Sequence, residues 1–120
     1  MSRLLWRLLR HLRFHLFQRH RYNRLVLEDV AGRQILLLPG VFNPKLFHSG
    51  EFLVQTLDTR PIASDAEVLD MGTGSGVAAI AAAQRARRVV AVDINPTATR
   101  CARANALLHG LEDRIEVRRG

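Results

Sequence analysis

Apolar positions recur along this chain with three different periods. Over residues 2–18, Leu4, Leu5, Leu8, Leu9, Leu12 and Leu16 fall within an arc of about 140° when successive residues are set about 100° apart. Arg3, Arg7, Arg10 and Arg13 lie on the other side, so the stretch predicts an amphipathic helix whose polar face is interrupted by Trp6, Phe14 and Phe17. Residues 24–30 and 34–38 then predict two strands, with Leu25 and Leu27 alternating and Gly32 supplying the turn of a hairpin. Pro39 and Gly40 end it, Asn43 and Pro44 make a turn, and residues 47–57 predict a helix bearing Phe52, Leu53 and Leu57. Beyond a polar connector at 60–67, Val68 and Leu69 belong to a short strand whose apolar faces should be poorly covered, whereas the next strand, over 89–94, opens on an apolar run that suits a parallel strand covered on both faces. Between them residues 75–88 carry six alanines, the best helix former. Asn95 suits an N-cap, Pro96 the first helical position, and Gly110 the C-terminal cap of a helix reaching about His109. Residues 114–118 alternate as a third strand with Ile115 and Val117 inward, and no internal repeat or low-complexity segment is visible.

Strand, helix, strand, helix, strand is the grammar of a parallel α/β sheet. The expected fold is α/β: an incomplete Rossmann-like doubly wound sheet (strands 3-2-1), preceded by a basic amphipathic helix and a β-hairpin. The expected divisions are residues 1–24 for the basic helix, 25–60 for the hairpin and lead-in helix, and 61–120 for the N-terminal half of a ligand-binding domain. At 120 residues, 48% apolar and 24% charged, the chain is long enough for one small globular domain.

The chemistry concentrates after the first continuous strand. Gly72, Gly74 and Gly76 alternate through a strand-to-helix turn, Asp70 stands two residues before them, and Asp93 ends the next strand. Glycines admit a ligand close to the backbone, and an acid about 20 residues on accepts hydrogen bonds from ribose hydroxyls. A dinucleotide fingerprint wants its third glycine at position 77, which is Val77. S-adenosylmethionine has no pyrophosphate; it needs backbone proximity and an acceptor for its amino group, which Asp70 is placed to supply. A dinucleotide site, or glycines that merely make a tight turn, are the competing readings.

The run from Val68 to Gly76, with Val92, Asp93, Ile94, Asn95 and Pro96, resembles motif I and the following acidic motif of class I S-adenosylmethionine-dependent methyltransferases. Residues 102–106 and 110–117 continue the likeness, and residues 40–53 resemble the proline-containing lead-in of the small-methyltransferase group. That group includes the protein-glutamine methyltransferases of release factors and several RNA and DNA amino-group methyltransferases. The resemblance covers about residues 40–120. It implies S-adenosyl-L-methionine as cofactor, held by Asp70, Gly72, Thr73, Gly74, Asp93 and Ile94: Asp70 for the methionyl amino group, Gly72 and Gly74 for close backbone approach, Asp93 for the ribose, Ile94 against adenine. It implies N-methylation of a protein glutamine or a nucleic-acid amino group. Pro44, Ser49 and Glu51 are candidates for the rim of the site, with a turn and a helix cap as their plain alternative. No catalytic residue can be assigned. The competing functions are a non-catalytic RNA- or partner-binding fragment and an NAD(P)-binding oxidoreductase fragment.

Charge changes this picture at one end only. Residues 1–24 hold seven arginines and no acid, whereas the remaining 96 hold eleven basic and eleven acidic residues. The whole excess of +7 therefore lies in the first 24 residues. Three readings fit: a helix docking its leucines on the body, nucleic-acid or ribosome contact through Arg3, Arg7, Arg10 and Arg13, or an interfacial membrane helix or organelle presequence. Recurrent arginines exclude a bilayer span. The single cysteine, Cys101, excludes an internal disulfide and reads as a small core residue; a cytoplasmic setting suits it. His11 and His15 alone share a metal-like i, i+4 spacing, without further ligands, so no metal is expected.

Only the first three strands of a doubly wound sheet are expected, and the Asn/Asp-Pro-Pro-aromatic acceptor motif of the family is absent from the chain. The first strand should therefore keep an open edge, able to support self-association. The chain by itself is expected to be a truncated, catalytically incomplete methyltransferase, with an acceptor macromolecule as its partner.

Overall fold

The computed structural model describes residues 3–13, 24–46 and 48–120. Helix α1 spans Arg3–Arg13. Strands β1 (Val26–Val30) and β2 (Arg33–Leu37) form an antiparallel hairpin in which Glu28 faces Ile35. Its two-residue turn, Ala31 and Gly32, has φ of 50° and 86° at the two positions, the left-handed pair that matches strand twist. The Asp29 side chain accepts the Gly32 N–H at 2.9 Å. A short 3-10 turn at Pro44–Leu46 leads into α2 (His48–Thr59). Then come β3 (Glu67–Met71), α3 (Val77–Ala83), β4 (Arg88–Asp93), α4 (Pro96–Leu108) and β5 (Ile115–Arg119).

The last three strands make one parallel sheet in the order β3-β4-β5, the expected 3-2-1 arrangement, with Val68 beside Val89 and Val89 beside Ile115. Its core is small: Ala79, Ile80, Ala81 and Ala83 of α3 meet Val89 and Ala91 of β4. Val30, Ile35 and Leu37 of the hairpin and Val54 of α2 belong to the same buried cluster. Among the described residues the outer edge of β3 is unpaired, and Leu69 and Met71 are 61% and 70% exposed there.

Local signals account for the ends of α4. The Asn95 side chain accepts the Thr97 N–H at 2.9 Å, and Pro96 occupies the first turn. At the other end Gly110 has φ of 67°, its N–H donates to Leu107 O, and the Leu111 N–H donates to Ala106 O. These are the paired bonds of a Schellman cap, closed by the buried Leu111.

The length of the alanine-rich helix and the docking of α1 are corrected, and the inner faces of the hairpin and α2 are added. The alanine-rich helix does not run over 75–88: α3 occupies Val77–Ala83 only. Arg85 and Ala86 both donate their N–H to Ala82 O, the Arg85 guanidinium caps Leu57 O and Arg60 O, and Arg87 N–H donates to Ala66 O, so the chain must leave the helix to enter β4. In the hairpin, Leu25 and Leu27 are the exposed parity, and Glu28 and Val30 are buried. In α2, Phe52 and Leu53 are exposed and Val54 is the fully buried anchor. In α1 the leucines whose burial is described, among them Leu4, Leu8 and Leu9, are exposed, against the docking reading.

Polar contacts fasten the hairpin to the sheet layer. The buried amide of Asn105 receives the Leu36 N–H at 2.7 Å and donates to Leu36 O at 2.7 Å and Ser75 O at 2.8 Å. His109 Nε2 lies 2.7 Å from Gln34 O. Arg33 and Asp58 form a bidentate pair at 2.7 and 2.8 Å between hairpin and α2, which holds the Asp58 carboxyl below its usual range.

Candidate functional site

The site begins with the conformation of the loop between β3 and α3. Gly72, Gly74 and Gly76 all have positive φ, at 68°, 57° and 87°. A Cβ at Gly72 or Gly74 would meet nothing within 4 Å, so both backbones face open space. Gly76 differs: a Cβ there would stand 3.1 Å from Cα and Cβ of Ala102, so this glycine lets the loop sit directly on α4. Asn105 grips the same loop through Ser75 O.

That open space is a cavity of about 430 Å³. Asp70, Gly72, Thr73 and Gly74 line one side of it together with Asp93, and Gly40, Val41, Phe42 and Pro44 line it from the lead-in. Asp70 and Asp93, 23 residues apart in the chain, thus share one hollow. Asp93 is held by two backbone donors, Gly74 N–H to Oδ2 at 2.9 Å and Asn95 N–H to Oδ1 at 2.9 Å. Each carboxylate oxygen keeps acceptor capacity beyond that bond. Thr73 is buried and turned inward: its hydroxyl donates to Asp70 Oδ2 at 2.8 Å and its N–H to Val92 O. It therefore orients Asp70. Ile94 is 79% exposed and flanks the cavity between Asp93 and Asn95 without lining it.

The loop's donors speak against a pyrophosphate. The N–H groups of Thr73, Gly74 and Gly76 already donate to Val92 O, Asp93 Oδ2 and Thr73 O. A phosphate cradle needs such groups aimed at the ligand. Val77, at the third-glycine position of a dinucleotide fingerprint, is buried in the core.

Burial pushes the Asp70 carboxyl above its ordinary value; the Asp93 charge acts in the same direction, and the Thr73 hydroxyl works against it. The folded chain therefore holds this proton more tightly than the unfolded chain. That contribution favours folding at low pH and is lost as pH rises through the folded value. A ligand ammonium beside Asp70 favours the ionised form. The affinity for S-adenosylhomocysteine is thus expected to climb as pH rises from the ordinary aspartate value through the raised one, then level off. Calorimetric titration across the acid range checks this, and Asp70→Asn should flatten the climb.

The lead-in residues that line the cavity are held by contacts that the sequence does not announce. Asn43 is buried; its Nδ2 donates to Glu28 Oε1 at 3.2 Å and its Oδ1 accepts the Lys45 N–H at 2.9 Å. A Cβ on Gly50 would be 2.7 Å from Pro44 Cβ, so only glycine lets α2 rest on Pro44. Gly50 and Leu53 line the cavity with Pro44. A glycine inside a predicted helix was the available signal. Of the rim candidates, Pro44 lines the cavity. Glu51 does not, and pairs with Lys45 at 2.7 Å. The Ser49 side chain, like the His11 and His15 pair, lies outside the described residues. Cys101 is fully buried, donates toward Leu36 O at 3.1 Å, and has its thiol pushed up by burial, as suits a core residue. Among the described residues no cluster of metal-ligating side chains is present, and no helix is long and apolar enough to cross a membrane.

Residues 49–119 match the family described as ribosomal protein L11 methyltransferase (PrmA). The ribosomal protein L11 methyltransferase of Pelobacter propionicus is 49% identical over 67 residues, which cover 55% of this chain and 22% of that protein. Among solved structures, the ribosomal protein L11 methylase of Lactobacillus delbrueckii is 34% identical with a TM-score of 0.57, covering 70% of this chain and 42% of that one. An RNA methyltransferase from Salinibacter ruber, solved with S-adenosyl-L-homocysteine, is 30% identical with a TM-score of 0.52, covering 57% and 46%. The chain spans between a fifth and a third of the length of the curated relatives it matches, from 19% to 31%. The likeness supports the class I methyltransferase resemblance and corrects its subgroup, from release-factor enzymes toward those of L11. It also sets aside the oxidoreductase alternative.

Proposed function

This chain belongs to the ribosomal protein L11 methyltransferase family, and from that premise we propose that it forms the S-adenosylmethionine-binding part of a methyltransferase whose acceptor is a ribosomal protein of the L11 kind. The observation that carries the reading is the shared hollow: two carboxylates, Asp70 and Asp93, across a backbone with no side chain at 72 and 74. Asp70 would take the methionyl ammonium, with Thr73 fixing its orientation. Asp93 would accept from the ribose hydroxyls while tied to the loop it faces. Gly72 and Gly74 would let the ligand lie on the main chain, and adenine would cover the exposed Ile94. The bound sulfonium supplies an activated methyl group, so the chain's own task is binding and alignment.

The β3 edge, with Leu69 and Met71 exposed, is unwalled among the described residues. Little turnover is therefore expected of the 120 residues by themselves, and robust radiolabelled-methyl transfer to L11, release factor or ribosomal RNA would refute that. The second reading keeps a nucleic-acid amino group as acceptor; the likeness to the Salinibacter RNA methyltransferase favours it. The cofactor assignment is tested first by thermal shift. S-adenosylhomocysteine should raise the melting temperature and NAD should not; stabilisation by NAD alone would replace the assignment.

A further inference from the structure

We propose that α1 is an interfacial anchor that lays this protein on an anionic lipid surface. The described part of the helix carries two chemistries on opposite faces. Leu4, Leu8 and Leu9 form an apolar stripe that stays exposed, Leu4 at 67%. Arg3, Arg7 and Arg10 form the other face and are exposed as well. Trp6, 55% exposed, falls on the helical wheel within the arginine face, between Arg13 and Arg10, and shares a surface hollow with Arg3, Arg7 and Arg10.

Each part of this pattern selects the partner. Seven arginines without an acid in residues 1–24, against a body of balanced charge, call for an anionic surface that meets the chain at this end only. RNA would satisfy the arginines and leave the leucine stripe in water. An anionic bilayer satisfies both: leucines enter the boundary between headgroups and acyl chains, and arginines stay among the headgroups. A tryptophan among the arginines sits at the level of the headgroups, where indole rings collect at membrane interfaces. The stretch does not span instead, since Arg3, Arg7, Arg10 and Arg13 recur every three or four residues along it.

The chain has one tryptophan, so its fluorescence reports on this helix alone. The full chain is titrated with vesicles of phosphatidylcholine and of phosphatidylcholine mixed with phosphatidylglycerol. A blue shift and saturable binding are expected with the anionic vesicles, weakened by salt. R3Q/R7Q/R10Q should weaken partitioning about a hundredfold, at roughly tenfold or less per arginine. L4S/L8S leaves the charge unchanged and should weaken it roughly tenfold or more. Both variants should keep the parent's melting temperature, since the substituted residues of both faces are exposed. Absence of partitioning onto the anionic vesicles overturns the proposal. So does tight binding of a ribosomal RNA fragment that L4S/L8S retains in full while vesicles leave the fluorescence unmoved.

Discussion

Asp93→Ala is expected to weaken S-adenosylhomocysteine binding by about a hundredfold or more in calorimetry. Two effects combine. The first is direct: a carboxylate accepting from two ribose hydroxyls contributes about 1.5–3 kcal/mol for each hydrogen bond, and alanine supplies none. The second is the loop itself, because Asp93 Oδ2 holds the Gly74 N–H at 2.9 Å and Oδ1 holds the Asn95 N–H at 2.9 Å. Alanine frees both donors, so the surface on which the ligand lies loses its tie to the end of β4. Asp93→Asn should fall between parent and Ala. It keeps one oxygen, but its amide nitrogen would face either the Gly74 or the Asn95 N–H, two donors against each other. A parent-like affinity for Asp93→Ala, within about threefold, would remove the ribose role from this residue and with it the functional reading.

The part of this site that could be read from the chain is the part encoded locally. Asp70, the glycines and Asp93 lie on a strand, a turn and a strand whose spacing is visible in one dimension. Their convergence then follows from putting β3 beside β4, where Met71 pairs with Val92. The caps of α4 were equally legible, since Asn95, Pro96 and Gly110 each act within a few residues. What stayed hidden depends on partners far along the chain. Asn105 bonds Leu36, 69 residues away, and Asn43 reaches Glu28 across the hairpin. No periodicity marks either residue as buried. The same cause explains the hairpin: a five-residue strand with apolar side chains at 26, 27 and 30 does not declare its inner face, and the buried Glu28 meets Asn43 from outside the hairpin. The end of α3 was missed because alanine favours helix wherever it stands, whereas the capping of Leu57 and Arg60 carbonyls by Arg85 is tertiary. The face of α1 was readable from its leucines, but not whether anything in the fold would cover them.

Gly76→Ala and Gly74→Ala should separate folding from binding, although one methyl group is added in each. At Gly76 the new methyl would sit 3.1 Å from Cα and Cβ of Ala102, a backbone atom and a short side chain that cannot swing aside. The residue also has φ of 87°, beyond the usual left-handed well for an L side chain. Left-handed strain of about 1–2 kcal/mol and displacement of α4 of about 1–3 kcal/mol should together lower stability by about 2–5 kcal/mol. In a domain of this size the melting temperature should drop by about 10 °C or more. At Gly74 the methyl meets nothing within 4 Å, and φ of 57° lies inside the left-handed well, so stability should fall by only about 1 kcal/mol. That methyl, however, points into the space assigned to the ligand. Overpacking a close contact costs about 1–3 kcal/mol, so S-adenosylhomocysteine affinity should fall about tenfold or more. Thermal melts and calorimetry on the two variants therefore give opposite patterns. Gly76→Ala melts early and, at temperatures where it is folded, binds within a few-fold of the parent, whereas Gly74→Ala melts near the parent and binds poorly. If Gly74→Ala instead binds as the parent does, the ligand does not lie on this turn, and the bare backbone at 72 and 74 serves the turn alone.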